Sequence, residues 1–263
     1  TPIITFSANG SSAYRPSHST TIDVKIGKSY LTSLQYAWST SPTSVSDWTD
    51  IPNGQTITRE GVNGNYYLHA RAFSSTKFDY RVTNAFRFDN TTPTLSLSYS
   101  PTSYTNDHVI ITATGSDTHS GVRRIRVAGG SWTNGSTMTY AATENGTYHF
   151  EIEDHAGNTN TKSITISNIE RSKPNVTLLK NGGDWAHSHS TTIHATDIGS
   201  GVNTIQYRFT TSSSFPTSDF TTVSNGASVT TPTTTGEYYL HVRATDHAGN
   251  VTQYTSNVFK VDR

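Results

Sequence analysis

One pattern constrains this chain more than any other. The stretch Gly236-Glu237-Tyr238-Tyr239-Leu240-His241-Val242-Arg243-Ala244 alternates, with Tyr238, Leu240, Val242 and Ala244 on one side and Tyr239, His241 and Arg243 on the other. Successive side chains of a strand point to opposite faces, so a period of two is what a half-buried antiparallel strand needs. Gly64-Asn65-Tyr66-Tyr67-Leu68-His69-Ala70-Arg71-Ala72 repeats it almost residue for residue, and Gly146-Thr147-Tyr148-His149-Phe150-Glu151-Ile152 is a looser copy. The shared tyrosines, at 66, 148 and 238, stand about 80 to 90 residues apart. That spacing fits one small domain per copy.

Other segments repeat in step. His18-Ser19-Thr20-Thr21-Ile22 matches His189-Ser190-Thr191-Thr192-Ile193, and Leu34-Gln35-Tyr36-Ala37-Trp38 matches Ile205-Gln206-Tyr207-Arg208-Phe209, with Ile125-Arg126-Val127 in that place in the middle copy. An aromatic-Thr pair follows each: Trp48-Thr49, Trp132-Thr133 and Phe220-Thr221. Trp48, Trp132 and Phe220 read as core anchors, whose truncation to Ala costs roughly 3–5 kcal/mol. Asn-Gly pairs supply hairpin punctuation. Asp89-Asn90-Thr91-Thr92-Pro93 and Glu170-Arg171-Ser172-Lys173-Pro174 read as short linkers stiffened by their prolines. The expected domains are therefore residues 1–90, 91–171 and 172–263. Strand-like segments stand at both ends, beside linker-like residues, so a piece of a longer array is expected, with short linkers favouring an extended rod.

Gly-x-Tyr opening a strand, with a core residue two positions on, resembles strand F of an immunoglobulin fold. There the tyrosine hydrogen-bonds back to the backbone, and the later position is a disulfide cysteine. Here that position is Leu68, Phe150 and Leu240. Asp154-His155-Ala156-Gly157-Asn158 and Asp246-His247-Ala248-Gly249-Asn250 follow the second and third copies. Asp-x-Ala-Gly-Asn in this position resembles the bacterial Ig-like repeat domains, group 3 type, of cell-surface and secreted proteins. The resemblance implies an all-β chain of three tandem immunoglobulin-like β-sandwiches, roughly seven strands each. It implies a structural role for Tyr66, Tyr148 and Tyr238, and an extracellular or cell-surface location.

Composition narrows the function classes. The formal net charge is +0 with 14% charged residues, which leaves no electrostatic footprint for nucleic acid. No apolar run is long enough to span a bilayer. The chain has no cysteine, unlike most eukaryotic extracellular Ig domains.

Three chemistries suggest themselves. Asp117-Thr118-His119-Ser120-Gly121-Val122 and Asp197-Ile198-Gly199-Ser200-Gly201-Val202 share Asp-x-x-Ser-Gly-Val. They fall in the loop between the second and third sandwich strands, which shares a pole with the loop holding Asp154 or Asp246. The matched positions of the first copy are about Ile26 and Ser74, so both acids are missing there together. Asp117, Asp154, Asp197 and Asp246 are either calcium ligands, offering hard oxygens, or turn caps that accept backbone N–H bonds. The second candidate is the opposite row of the repeated strand: Tyr67, His69 and Arg71, and Tyr239, His241 and Arg243. That row is either a ligand-binding strip or an ordinary solvated face. A third, His187-x-His189 with His194, sets imidazoles where a strand could aim two of them at a metal. No catalytic motif is present, and small sandwiches leave little room for a deep pocket.

The expected function is thus a non-catalytic spacer or stalk of a bacterial surface or secreted protein, monomeric, with calcium the one cofactor suggested. An adhesive or carbohydrate-binding module meeting a glycan or a host or cell-wall protein is the alternative, with the first copy the suspect because it carries Trp38, Trp48 and Phe73. Accessory domains of a secreted polysaccharide-degrading enzyme are a third reading.

Overall fold

A computed structural model describes all 263 residues. The first repeat comprises β1 (Ile3–Phe6), β2 (Ser11–Arg15), β3 (Ser17–Lys25), β4 (Leu31–Ser39), β5 (Thr49–Asp50), β6 (Gln55–Glu60), β7 (Gly64–Ser74), β8 (Phe78–Val82) and β9 (Phe86–Phe88). The middle repeat comprises β10 (Thr94–Ser100), β11 (Val109–Ser116), β12 (Val122–Val127), β13 (Thr133–Asn134), β14 (Thr137–Ala142), β15 (Gly146–Asp154) and β16 (Thr159–Ile166). The third comprises β17 (Asn175–Leu178), β18 (Gly183–Ala186), β19 (Ser190–Thr196), β20 (Val202–Thr210), β21 (Thr221–Val223), β22 (Ser228–Thr230), β23 (Gly236–Asp246), β24 (Val251–Thr255) and β25 (Phe259–Val261). There is no helix, and hence none that could cross a membrane.

Each repeat contributes two sheets, in the orders β1-β3-β6 and β2-β9-β7-β4-β5, then β10-β11-β14 and β13-β12-β15-β16, then β17-β19-β22 and β18-β25-β23-β20-β21. Strands β8 and β24 lie on β7 and β23. Two compact units result: Thr1–Ser98 with Thr112–Tyr140 and Tyr148–Ile164, and Tyr99–Ile111 with Ala141–Thr147 and Thr165–Arg263.

The repeated strand organises its sheet. In β7 the register sets Leu68 opposite Trp38, Ala70 opposite Tyr36 and Ala72 opposite Leu34. The small Ala70 and Ala72 leave room for the larger Tyr36 and Leu34 that they face, as close packing requires. Leu68, Ala70 and Ala72 have no exposed surface and close a core with Ile4, Ile22, Val24, Leu34 and Ile57 from the strands around them. In the second unit Leu240, Val242 and Ala244 do the same with Val176, Ile193, Ala195, Ile205, Val229 and Phe259. The tyrosine corner is formed in the third repeat, where the buried Tyr238 hydroxyl donates to the Thr234 carbonyl at 3.2 Å.

Histidine closes one end of the first and third sandwiches. His18 Nε2 meets the Arg87 carbonyl at 2.8 Å, with its ring against Phe86 and Phe88. His189 Nε2 meets the Asp184 and Lys260 carbonyls, with its ring 5.5 Å from Phe259. This corrects the strand-borne histidine pair: His187 is exposed in a bend, His189 is buried, and His194 is exposed elsewhere on β19. The Asn-Gly turns also do more than punctuate. Asn225 exchanges hydrogen bonds of 3.0 and 2.7 Å with the backbone of Ala195, and Asn53 does the same with Val24 at 2.7 and 3.0 Å.

The aromatic-Thr pairs depart from expectation. Trp48, Trp132 and Phe220 are half-buried on the outer face, each lying against an arginine. Arg71 stands 4.1 Å from the Trp48 ring, Arg124 and Arg126 stand 4.4 and 4.3 Å from Trp132, and Arg243 stands 4.6 Å from Phe220. An aromatic entering from a loop carries no strand phase, so alternation could not assign its side. Replacing Leu240 with Ala is expected to cost about 2–5 kcal/mol. Phe220→Ala, which removes a cation–π contact and a stack on Phe215 at the outer face, is expected to cost less than about 2 kcal/mol. Urea unfolding midpoints of the two variants check the order.

Candidate metal centres

Each acidic turn is built by its own backbone. Asp117 Oδ2 accepts from the N–H groups of His119 (3.1 Å) and Gly121 (2.8 Å). Asp197 Oδ2 accepts from Gly201 N at 2.7 Å. Gly121 and Gly201 hold φ of 77° and 83°, the left-handed region that other residues disfavour. The partner turn follows the repeated strand. Asp154 Oδ1 accepts from Asn158 N and its Oδ2 from Asn158 Nδ2, both at 2.8 Å. Asp246 does the same with Asn250 at 2.7 and 2.8 Å. The two turns are stitched together by His155 N to Gly121 O and His247 N to Gly201 O, 3.1 Å each.

A third acid joins each pair, and it comes from the linker. Carboxylate oxygens of Asp89, Asp117 and Asp154 all lie within 4.8 Å of one another, as do those of Glu170, Asp197 and Asp246. Asp89 Oδ2 accepts from Ser120 N at 2.9 Å, and its carbonyl accepts from Asn158 Nδ2 at 3.1 Å. Glu170 Oε2 accepts from Ser200 Oγ at 3.1 Å, and its carbonyl accepts from Asn250 Nδ2 at 3.0 Å. The sequence signal for these acids was present but unread. Asp89 and Glu170 each follow the last core residue of a repeat and stand four positions before the linker proline.

The electrostatics are one-sided. Three carboxylates share each site, and the one basic side chain within salt-bridge reach is the His119 imidazole, with Nδ1 3.9 Å from Asp89 Oδ1. Burial pushes the Asp89 carboxyl up. Hydrogen bonds from Ser120 and Thr91 and the nearby His119 outweigh it and hold that carboxyl below the usual carboxylate range. Asp117 Oδ1, Glu170 Oε1 and Asp197 Oδ1 are buried and have no hydrogen-bond partner. Leaving a charged oxygen so costs free energy unless something compensates it. An all-oxygen, carboxylate-rich donor set suits calcium, which takes six to eight such ligands, and does not suit zinc. The first repeat has no such cluster, in keeping with the residues at Ile26 and Ser74.

The opposite row of the repeated strand is not the open strip its polarity suggests. Tyr67, Arg71, Tyr239 and Arg243 are half-buried, while His69 and His241 have no exposed surface. The loop after β4 covers His69, whose Nε2 meets Ser41 O at 2.8 Å and whose Nδ1 meets the Tyr80 hydroxyl at 2.6 Å. His241 Nε2 likewise meets Ser212 O at 3.0 Å and its Nδ1 meets Thr255 Oγ1 at 2.9 Å. Arg71 and Arg243 are tied by Nε to Gln35 and Gln206.

Residues 165–263 match the family model described as a bacterial Ig-like domain. No curated protein matches the chain. Among solved structures, an I-band fragment of titin is 13% identical with a TM-score of 0.49, over 99% of this chain and 97% of its own. The fibronectin(III)-like modules of Clostridium thermocellum CbhA are 12% identical with a TM-score of 0.31, over 64% of this chain and 94% of theirs. The ectodomain of mouse nectin-like molecule 4 is 10% identical with a TM-score of 0.37, over 94% and 96%.

Burial lowers the His241 pKa, the Ser212 carbonyl raises it, and the charge of Arg208 lowers it further, for a net depression. An unfolded histidine takes its proton near pH 6.5. Below that value the unfolded chain binds a proton the folded chain resists, so stability falls as pH drops from about 7 towards the lowered native value. Melting curves from pH 7.5 to 5 should show this loss, and His241→Gln should flatten it.

Proposed function

We propose that the chain is a non-catalytic run of three Ig-like spacer modules, residues 1–90, 91–171 and 172–263, of a bacterial cell-surface or secreted protein. Calcium at two of its junctions locks each linker to the loops of the repeat that follows. The observation that carries this reading is the linker acid: Asp89 and Glu170 each complete a three-carboxylate site whose other two members come from the adjoining loops. A linker hydrogen-bonded in this way has little freedom to swing, and a bound divalent ion would remove what remains while neutralising the crowded charge.

The neighbouring bonds support it. Asn90 Nδ2 donates to the Val62 and Pro16 carbonyls, and Asn63 Nδ2 donates to Thr91 Oγ1. At the second linker Asn145 exchanges bonds of 2.7 and 2.9 Å with the backbone of Ile169, and Glu170 N donates to Thr105 O. The Asn-Gly pair that opens β7 and β15 thus clamps the outgoing linker from one side, and the acidic turns hold it from the other. A spacer needs this property, because stiffness at the joints is what sets its reach.

The test is thermal unfolding in calcium and in excess EDTA. A ligand at a hundredfold its dissociation constant adds about 2.7 kcal/mol to the folded state, which for domains of this size raises the midpoint by several degrees. Asp197→Asn should abolish the increment of the second site and leave that of the first. Superimposed curves with and without calcium would refute the ion-locked junction.

A further inference from the structure

The outer face of the first repeat differs from that of the third at one spot. The cross-strand pairs Phe73–Phe78 and Arg71–Tyr80 of β7 and β8 correspond to Thr245–Val251 and Arg243–Gln253 of β23 and β24. Trp48 corresponds to Phe220. At these four positions the first repeat carries four aromatics and the third only Phe220, onto which Phe215 stacks at 5.5 Å from the preceding loop. They enclose a recess of about 240 Å³ lined by Trp48, Arg71, Phe73, Phe78 and Tyr80. Phe78 is 64% and Tyr80 42% exposed, far more than sheet packing needs.

The recess is built. The Phe73 and Phe78 rings stack at 6.1 Å, and Tyr80 meets Trp48 edge-on at 6.2 Å. The buried His69 fixes the Tyr80 hydroxyl at 2.6 Å. The Arg71 guanidinium carbon stands over the Trp48 ring at 4.1 Å, anchored by Nε to Gln35 at 2.7 Å. In the third repeat Arg243 spends both Nε and Nη2 on Gln206; in the first, both terminal nitrogens of Arg71 are free of protein partners. No carboxylate lines the recess. Asp79 turns to the other face, accepting from Ile4 N at 2.9 Å and Arg81 Nε at 3.1 Å.

A single positive fork on an aromatic floor defines what fits. A guanidinium presents paired donors matched to a carboxylate. The negative faces of aromatic rings attract the weakly positive C–H edges of an apolar surface. We propose that this recess binds one acidic sugar unit, a uronic or sialic acid residue of a glycan. Its carboxylate pairs with Arg71, and its C–H face lies on Phe78, Tyr80 and Trp48. The volume suits a single ring. A polyproline segment, the other common ligand of aromatic surfaces, needs a groove running along several residues. The site stands apart from the metal centres, and neither reading depends on the other.

The whole chain is titrated against arrayed oligosaccharides built from uronic or sialic acid units, with uncharged oligosaccharides of equal length and a proline-rich peptide alongside. Acidic glycans should bind and uncharged ones should not. Phe78→Ala, a change at an exposed side chain that leaves the fold intact, and Arg71→Gln should each weaken binding at least about tenfold, while Phe220→Ala should leave it unchanged. Absence of binding across all acidic glycans would overturn the proposal. So would equal binding of uncharged ones, survival of binding in Phe78→Ala, or Phe78-dependent capture of the peptide alone.

Discussion

Three carboxylates held within 4.8 Å of one another are the constraint around which each acidic junction is arranged. Like charges at that distance repel, and burial sharpens the repulsion by removing water. The surrounding backbone answers part of it, with N–H groups of Gly121, Ser120 and Asn158 aimed at one site and those of Gly201 and Asn250 at the other. It does not answer all of it, since a buried oxygen remains unpartnered on Asp117, on Asp197 and on Glu170. The geometry that calcium would exploit is thus also what ties linker to loop: the same acids cap their turns and converge on a common point. On Asp117 and Asp197 one oxygen caps the turn and the other is left unpartnered, so the turn-cap and metal readings use different oxygens of the same side chain.

Sandwich and junction follow one logic. The repeated strand supplies the core with Leu68, Ala70 and Ala72, or Leu240, Val242 and Ala244. In the third repeat it runs on to deliver Asp246 to the pole, and in the middle repeat β15 delivers Asp154 in the same way. Packing in the sandwich therefore positions the acid at its end. The first repeat, which lacks the acids, instead carries the aromatic recess at the same end of its strand, where Phe73 occupies the place of Thr245. One scaffold carries an acidic cluster in two copies and an aromatic recess in the remaining one.

Much of this was legible in the residues. Period-two alternation located the inner faces, because the pleat admits no other reading of Leu68, Ala70 and Ala72. The pairing of Asp117 with Asp154, and of Asp197 with Asp246, followed from which loops share a pole. Three things were not legible. Asp89 and Glu170 lay in segments read only for their prolines, and no strand phase aims a linker side chain. The burial of His69 and His241 depends on Ser41 and Ser212, whose loops cover the strand from outside. Alternation tells which way a side chain points and not what lies above it. Trp48, Trp132 and Phe220 enter from loops, so their sizes suggested the core while arginines on the outer face hold them.

The central claim is that each linker acid completes a metal site, and calorimetric titration of calcium into the intact chain tests it most directly. The account predicts two ions per chain, reduced to one by Glu170→Gln and to the other one by Asp89→Asn. Absence of binding heat, or a stoichiometry that neither linker substitution changes, would contradict it.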